Sequence, residues 1–443
     1  MSTHRRALGP VTAGALDQAL AGVSADRLTS SVTMLAGDAF AGRRVGTPGN
    51  DAARGWLAAR LADSGTAVHT DPFPVRAVPD IHAAPTARFG TGASAASLSF
   101  GSEVSLHLAS TDLGTPRRAP LAFAGAGDPT GRWLLVPAGM SLFDAYGHAD
   151  RAAGLLVARN VDADGWQFTM LAGPNAGPLP ILTLSPAAHG RVSDAARTGD
   201  GWMSANTPIR RVDVSGANLH ARLRHATAGH AEMLLTAHFD GVGDHPGLRQ
   251  PGAADNASGV AVVVEAARVL AASLPRRVGL SVALLDGEEM GALGSAHHAA
   301  RLVQTGANPV VINVDGAGRL HEAAAVEAGG PAHRLLAALD QAGRHTGVPL
   351  AAGPVASDNR RYAGAGFAAV GIGAGMAGYH SPGDTPQRVE PATLAAITRL
   401  VVAAVWIAAG TPTTVRSPID DAGGRVEPTC RWVDPGPRVQ AGR

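Results

Sequence analysis

From about residue 229 to residue 409, short apolar runs alternate with longer helical patterns, and this rhythm constrains the fold more than any other feature of the chain. Residues 231–237, 278–285, 309–314 and 367–372 read as buried strands. Residues 257–273, 295–305, 331–346 and 391–409 read as helices, the first built almost entirely of Ala and Val. Such alternation with short connections predicts an α/β fold, a three-layer sandwich with a mostly parallel central sheet flanked by helices. In sheets of that kind, ligands collect beyond the carboxyl ends of the strands.

The stretch from about Phe73 to Thr207 breaks the rhythm. Its apolar pieces at 133–137, 154–158 and 180–184 are short and separated by Gly, Pro and Asp, as expected of a small β-rich inserted domain. The opening helical patterns at 14–35 and 50–64 belong with the later part. The expected organisation is therefore a main domain of residues 14–72 and 209–410, an insertion at 73–208, and a Pro-rich C-terminal tail at 411–443. Hydrophobic residues make up 45% of the 443 and charged ones 16%, a composition able to form a core. With aromatics at 4%, that core has to be made of Ala, Val and Leu.

The charge balance, 37 basic against 36 acidic residues, gives no general pull toward nucleic acid or an anionic membrane. Every basic residue is Arg, so no lysine is present to form a Schiff base. The lone cysteine, Cys430, rules out an intrachain disulfide and a cysteine zinc cluster. Behind Arg5 and Arg6 the N-terminus has no continuous apolar run, and the apolar stretch 394–409 is interrupted by Arg399. A cytoplasmic location without membrane association is expected, or secretion if a leader has been removed. Homo-oligomerisation is not readable from the residues.

Five short motifs stand where strands end or helices begin. They are Ala237-His238-Phe239-Asp240, Gly252-Ala253-Ala254-Asp255-Asn256-Ala257-Ser258-Gly259, Asp286-Gly287-Glu288-Glu289-Met290-Gly291, Ile312-Asn313-Val314-Asp315-Gly316 and Tyr379-His380-Ser381-Pro382-Gly383-Asp384-Thr385. Singly, each has an ordinary structural explanation: Asp255-Asn256 ahead of a helix fits an N-cap, Glu288-Glu289 a solvated acidic pair. Together they supply imidazoles and carboxylates, the donors that zinc takes in catalytic sites. A pair of metal ions further requires a bridging carboxylate.

In this order and spacing the motifs resemble the co-catalytic di-zinc aminopeptidases, a family related to glutamate carboxypeptidase, glutaminyl cyclase and the transferrin receptor ectodomain. The loop Ala41-Gly42-Arg43-Arg44-Val45-Gly46-Thr47-Pro48-Gly49-Asn50 is similar to another segment of that family, and the insertion resembles a protease-associated domain. The resemblance implies two zinc ions per chain. It makes His238 and Asp315 ligands of one, Glu289 and His380 ligands of the other, and Asp255 the bridge, with a cis peptide before Asn256. It also implies that Glu288 is the general base, that Tyr379 steadies the oxyanion, and that Asp240 fixes the tautomer of a ligand imidazole. The implied substrate is a short peptide or small amide. Manganese or cobalt in place of zinc remains open, since the ligand types do not separate these ions sharply.

Ser357-Asp358-Asn359 stands where the family often has Ser-Asp-His, and Tyr362 where Phe is common; both positions are expected beside the substrate pocket. The run Gly373-Ala374-Gly375-Met376-Ala377-Gly378 mimics a dinucleotide fingerprint, but Tyr379-His380-Ser381-Pro382 follows it in place of a helix. His297-His298 on a predicted helix is expected to be exposed. Besides an aminopeptidase, three readings stay open: an amide hydrolase specific to one small metabolite, an acyltransferase similar to glutaminyl cyclase, and a non-catalytic binding homologue. The insertion, placed before the first metal motif, is expected to cap the cleft and limit substrate length.

Overall fold

The computed structural model describes residues 10–410, so the C-terminal tail and Cys430 lie outside the described residues. Two eight-stranded sheets organise the chain. In the first, the strands Gly279–Leu285, Glu232–His238, Val310–Val314 and Ala369–Gly373 run parallel and side by side. Antiparallel neighbours flank them: Ile209–Arg224 on one side, and Ala324–Gly329 on the other. The sheet is thus parallel in the middle and mixed at its edges.

Both faces of these central strands are covered, which is why they read as unbroken apolar runs. Met233, Leu235, Ala237, Ile312, Val314, Val370 and Ile372 point into the larger core, shared with helices Ala25–Leu35, Pro48–Ala62, Gly259–Ser273, His333–Thr346 and Pro391–Gly410. Leu234, Leu285, Val311 and Ala369 face the other way, toward helices Leu293–Gln304 and Asn359–Gly364. This is the expected three-layer arrangement, and small side chains let helix Gly259–Ser273 lie close on the sheet.

Several boundaries differ from the sequence reading. The pattern expected as one helix over 14–35 is two, Pro10–Ala21 and Ala25–Leu35, because the Ser24 hydroxyl accepts from the Arg27 amide and begins a new helix. The boundary expected at 72/73 falls inside a strand. Val68–Ile81 pairs along its length with Ile209–Arg224, out to Ile81 opposite Ile209. Helix Pro391–Gly410 reaches 20 residues with a mean hydropathy of 1.9, and Ala253–Ser273 likewise is long and apolar enough to cross a membrane. The apolar stretch 394–409, interrupted by Arg399, makes up most of the first of these helices. Its hydropathy has a different use: Ile397, Leu400, Val401 and Val402 are fully buried in the larger core.

The second sheet lies between Ala87 and Thr207 and is mixed as well. Strands Leu113–Phe123, Trp133–Leu135, Gly154–Ala158 and Ile181–Leu184 are parallel, while Ala87–Thr91, Gly201–Thr207 and Val104–Leu106 pair antiparallel. Trp133 fills its core, with its indole N–H donated to the Arg117 carbonyl at 3.0 Å.

Candidate metal centre

The four parallel strands end on one edge of the first sheet, and the chemistry-bearing side chains lie at that edge. His238 is the last residue of its strand and Asp315 follows Val314 directly. Glu288 and Glu289 come after Leu285 through Gly287, whose φ of +70° turns the chain back. Tyr379 and His380 sit in the loop that leaves Gly373. Asp255 occupies a distorted turn, Ala253–Ser258, ahead of the helix that was expected from residue 257 and begins at Gly259. The Asp255–Asn256 peptide is cis.

The structure brings these groups into two buried triads. In one, His238 Nε2 lies 3.3 Å from Asp255 Oδ1 and 3.4 Å from Asp315 Oδ1. In the other, His380 Nε2 lies 3.1 Å from Asp255 Oδ2 and 3.0 Å from Glu289 Oε2. Each triad offers ligand atoms within 4.8 Å of one another, and Asp255 belongs to both, one oxygen to each. His238 Nε2, Asp315 Oδ1 and Glu289 Oε1 are buried without a hydrogen-bond partner. Unpartnered polar atoms converging on one spot are costly in a folded chain, and a cation there removes the cost. The donor set, imidazole nitrogen and carboxylate oxygen, fits zinc.

A layer of hydrogen bonds orients these groups. Asp240 approaches His238 Nδ1 at 3.5 Å, while its two oxygens accept the amides of Glu288 at 3.0 Å and Glu289 at 3.1 Å. It therefore holds the Glu pair in place as well as facing the imidazole. Asn256 donates to the Val314 carbonyl and accepts from the Gly259 and Gly316 amides, which locks the Asp255 turn against the Asp315 strand. Asp384 accepts from the Ala254 and Asp255 amides. Arg43, wholly buried, donates to the carbonyls of Leu35, Phe239, Pro251 and Gly252. Asp286 accepts from Asn50 and from the Ala217 and Gly287 amides. Arg43, Asn50, Asp286 and Asp384 all lie inside the motifs of the sequence reading, which gave them no role.

Burial dominates the electrostatics. It pushes the Glu288 carboxyl well above its ordinary value, and the neighbouring Asp358, Asp315 and Glu289 add to the rise against the pull of His238. Burial alone would disfavour a charged His238 or His380, but the carboxylates around each outweigh it and raise both. Asp255 is likewise opposed by burial, yet the two imidazoles beside it hold it below the usual carboxylate range. Tyr379, two-fifths exposed beside His380, has its hydroxyl held above the ordinary value by burial and the nearby carboxylates.

Two expectations are corrected. Tyr362 does not line a pocket: it is fully buried, and its hydroxyl shares a 2.8 Å hydrogen bond with His298 Nδ1. His298 is accordingly buried rather than exposed, because helix Leu293–Gln304 turns it toward the sheet, against His220. His297 is one-third exposed beside Asp71. Asp358 is buried, and burial pushes its carboxyl up to about 7.

The sequence profile of peptidase family M28 matches residues 218–405. No curated protein matches the chain. Among solved structures, the aminopeptidase from Aneurinibacillus sp. strain AM-1 is 20% identical with a TM-score of 0.66, covering 91% of this chain and 98% of its own. The zinc aminopeptidase of Bacillus subtilis is 18% identical with a TM-score of 0.68, covering 89% and 97%. A peptidase M28 precursor from Shewanella amazonensis is 17% identical with a TM-score of 0.65, covering 92% and 98%. At these identities the likeness establishes the fold. The segment matched by the M28 profile, residues 218–405, holds all five motifs and both triads.

Proposed function

We propose that the protein is a zinc-dependent aminopeptidase that releases N-terminal residues from short peptides, using two zinc ions per chain. The observation that carries this reading is the pair of buried triads sharing Asp255. His238 and Asp315 would hold one ion, Glu289 and His380 the other, with Asp255 between them. The similar structures described as aminopeptidases support the substrate class.

Bound zinc supplies Lewis acidity that polarises a substrate carbonyl and lowers the pKa of a water to about 7. The chain's own residues do the remainder. Glu289 turns toward His380, and Glu288, one residue earlier on the same loop, is left to take the proton of the attacking water and hand it to the leaving amine. Asp240 fixes the direction of both through their amides. Tyr379, kept protonated by burial and the surrounding carboxylates, donates a hydrogen bond to the carbonyl oxygen as charge develops on it. Activity is expected to be greatest near neutral or mildly alkaline pH.

The test is zinc content measured alongside hydrolysis of a panel of aminoacyl-anilides, with and without chelator. Stoichiometric zinc and chelator-sensitive release of anilide are expected. Protein that takes up no more than trace metal would end the reading, and zinc-loaded protein inert toward every member would end the aminopeptidase assignment.

A further inference from the structure

The segment between strands Gly154–Ala158 and Ile181–Leu184 of the second sheet has no regular structure, yet it is fixed at both ends. Toward its own sheet, the buried Gln167 side chain accepts from the Thr183 hydroxyl at 2.6 Å, and its amide donates to the Gly101 carbonyl. Toward the first sheet it is joined to the His380 loop. The Thr169 amide donates to the His380 carbonyl at 2.9 Å, and the Ser381 hydroxyl donates to Asp162 Oδ2 at 3.1 Å. Asp164 accepts from Arg388, and the Thr169 hydroxyl accepts from Gln250.

Between these ties the chain presents Phe168 over Tyr379, with ring centroids 6.2 Å apart and planes tilted by 58°. Phe168 and Met170 are each 37% exposed and Tyr379 40%, although large apolar side chains elsewhere in the sheets are mostly buried. Tyr379 in turn stacks on His380 at 3.8 Å. Met376, partly buried against the larger core, lies against Gly316, next to Asp315: a methyl group added at Gly316 would come within 2.4 Å of the Met376 Cε. Phe168 thus presents apolar surface to water beside Tyr379 and His380, carried in from the second sheet on a loop that hydrogen bonds prevent from swinging away.

An exposed aromatic ring held in place beside polar ligands is a surface on which an apolar group can be dehydrated. We propose that Phe168 is a specificity-determining residue, forming the wall that selects substrates with a bulky apolar side chain beside the scissile bond. This inference rests on the peptidase reading above.

The test compares zinc-loaded wild type with Phe168→Ala, Phe168→Leu and, as a control elsewhere in the segment between Ala87 and Thr207, Phe143→Ala, whose side chain is 86% exposed on helix Leu142–Gly147. Hydrolysis of Leu-Ala, Ala-Leu and Ala-Ala is followed by kcat/KM. A missing hydrophobic contact lowers kcat/KM by about 10-fold or more. Phe168→Ala should do so for one of the two Leu-containing dipeptides, leave Ala-Ala within about 3-fold, and leave zinc content unchanged. Phe168→Leu and Phe143→Ala should keep the wild-type preference. If Phe168→Ala changes all three substrates by one factor, or none, the wall assignment is overturned while the peptidase reading stands. If zinc-loaded wild type cleaves none of the three, the peptidase reading fails and the wall assignment falls with it.

Discussion

At the scale of single residues, the proposed chemistry separates groups that would hold a cation from a group that would handle a proton. Glu288 and Glu289 are neighbours in sequence, but only Glu289 lies in a triad. Glu288→Gln should therefore keep its zinc, measured by metal analysis, and lose about 10²–10⁴-fold in kcat. An unaltered kcat would remove Glu288 from the proton transfer. The residues placed in the two triads were all legible in the sequence, because each ends a strand or opens a turn in a fixed order. Arg43 and Asp384 were not assigned, since their partners are backbone groups of segments far away in the chain, and main-chain acceptors leave no mark on residue identity. Tyr362 and His298 were misplaced for a related reason. Each looks polar in sequence, and each is satisfied by the other inside the core.

At the scale of elements, the position of Asp255 depends on how closely the turn Ala253–Ser258 and helix Gly259–Ser273 can approach strand Val310–Val314. Gly259 sits at that junction with ordinary helical dihedrals, so no backbone requirement calls for glycine. Space does. A Cβ there would come within 2.2 Å of Asn256 Oδ1 and 2.5 Å of the Val314 carbonyl. Gly259→Ala should cost about 1–3 kcal/mol in a urea titration and reduce zinc retention, as the Asn256 latch gives way. A variant equal to wild type in both would show that the turn has slack. The central strands and their helices were readable because burial on two faces leaves continuous apolar runs. Strand Ile209–Arg224 was not. Over residues 210–215 it pairs only with Val68–Ile81 and is largely open to solvent, so its side chains are mostly polar and carry no core signal.

For the molecule as a whole, stability against pH is set by buried groups of opposite tendency. Burial holds His220 and His245 at about 4 and His298 at about 3, against an ordinary 6.5. A histidine kept neutral in this way binds fewer protons folded than unfolded. Its contribution is complete above about 6.5 and is lost as pH falls toward the folded value. Burial also raises Asp286, Asp358 and Asp384 to about 7, and these act in the reverse sense, losing stability as pH rises through that value. The sum conceals each part, so the prediction concerns a difference. Relative to wild type, His298→Gln should gain about 1–2 kcal/mol between pH 7 and pH 5, read from urea midpoints. A constant difference would show that His298 does not stay neutral. The layered arrangement of the first sheet was legible from the strand–helix rhythm. The join between the sheets was not, because it runs through two strands whose facing stretches carry many polar side chains. That join has an architectural consequence. Ile81 and Ile209 face each other across an antiparallel ladder, so 127 residues' worth of second sheet hangs from the tip of a hairpin whose two arms are already in register. A two-residue turn is enough to bridge such a tip. The first sheet thus has a natural stump at which the appendage is attached without interrupting the strands that carry the two triads.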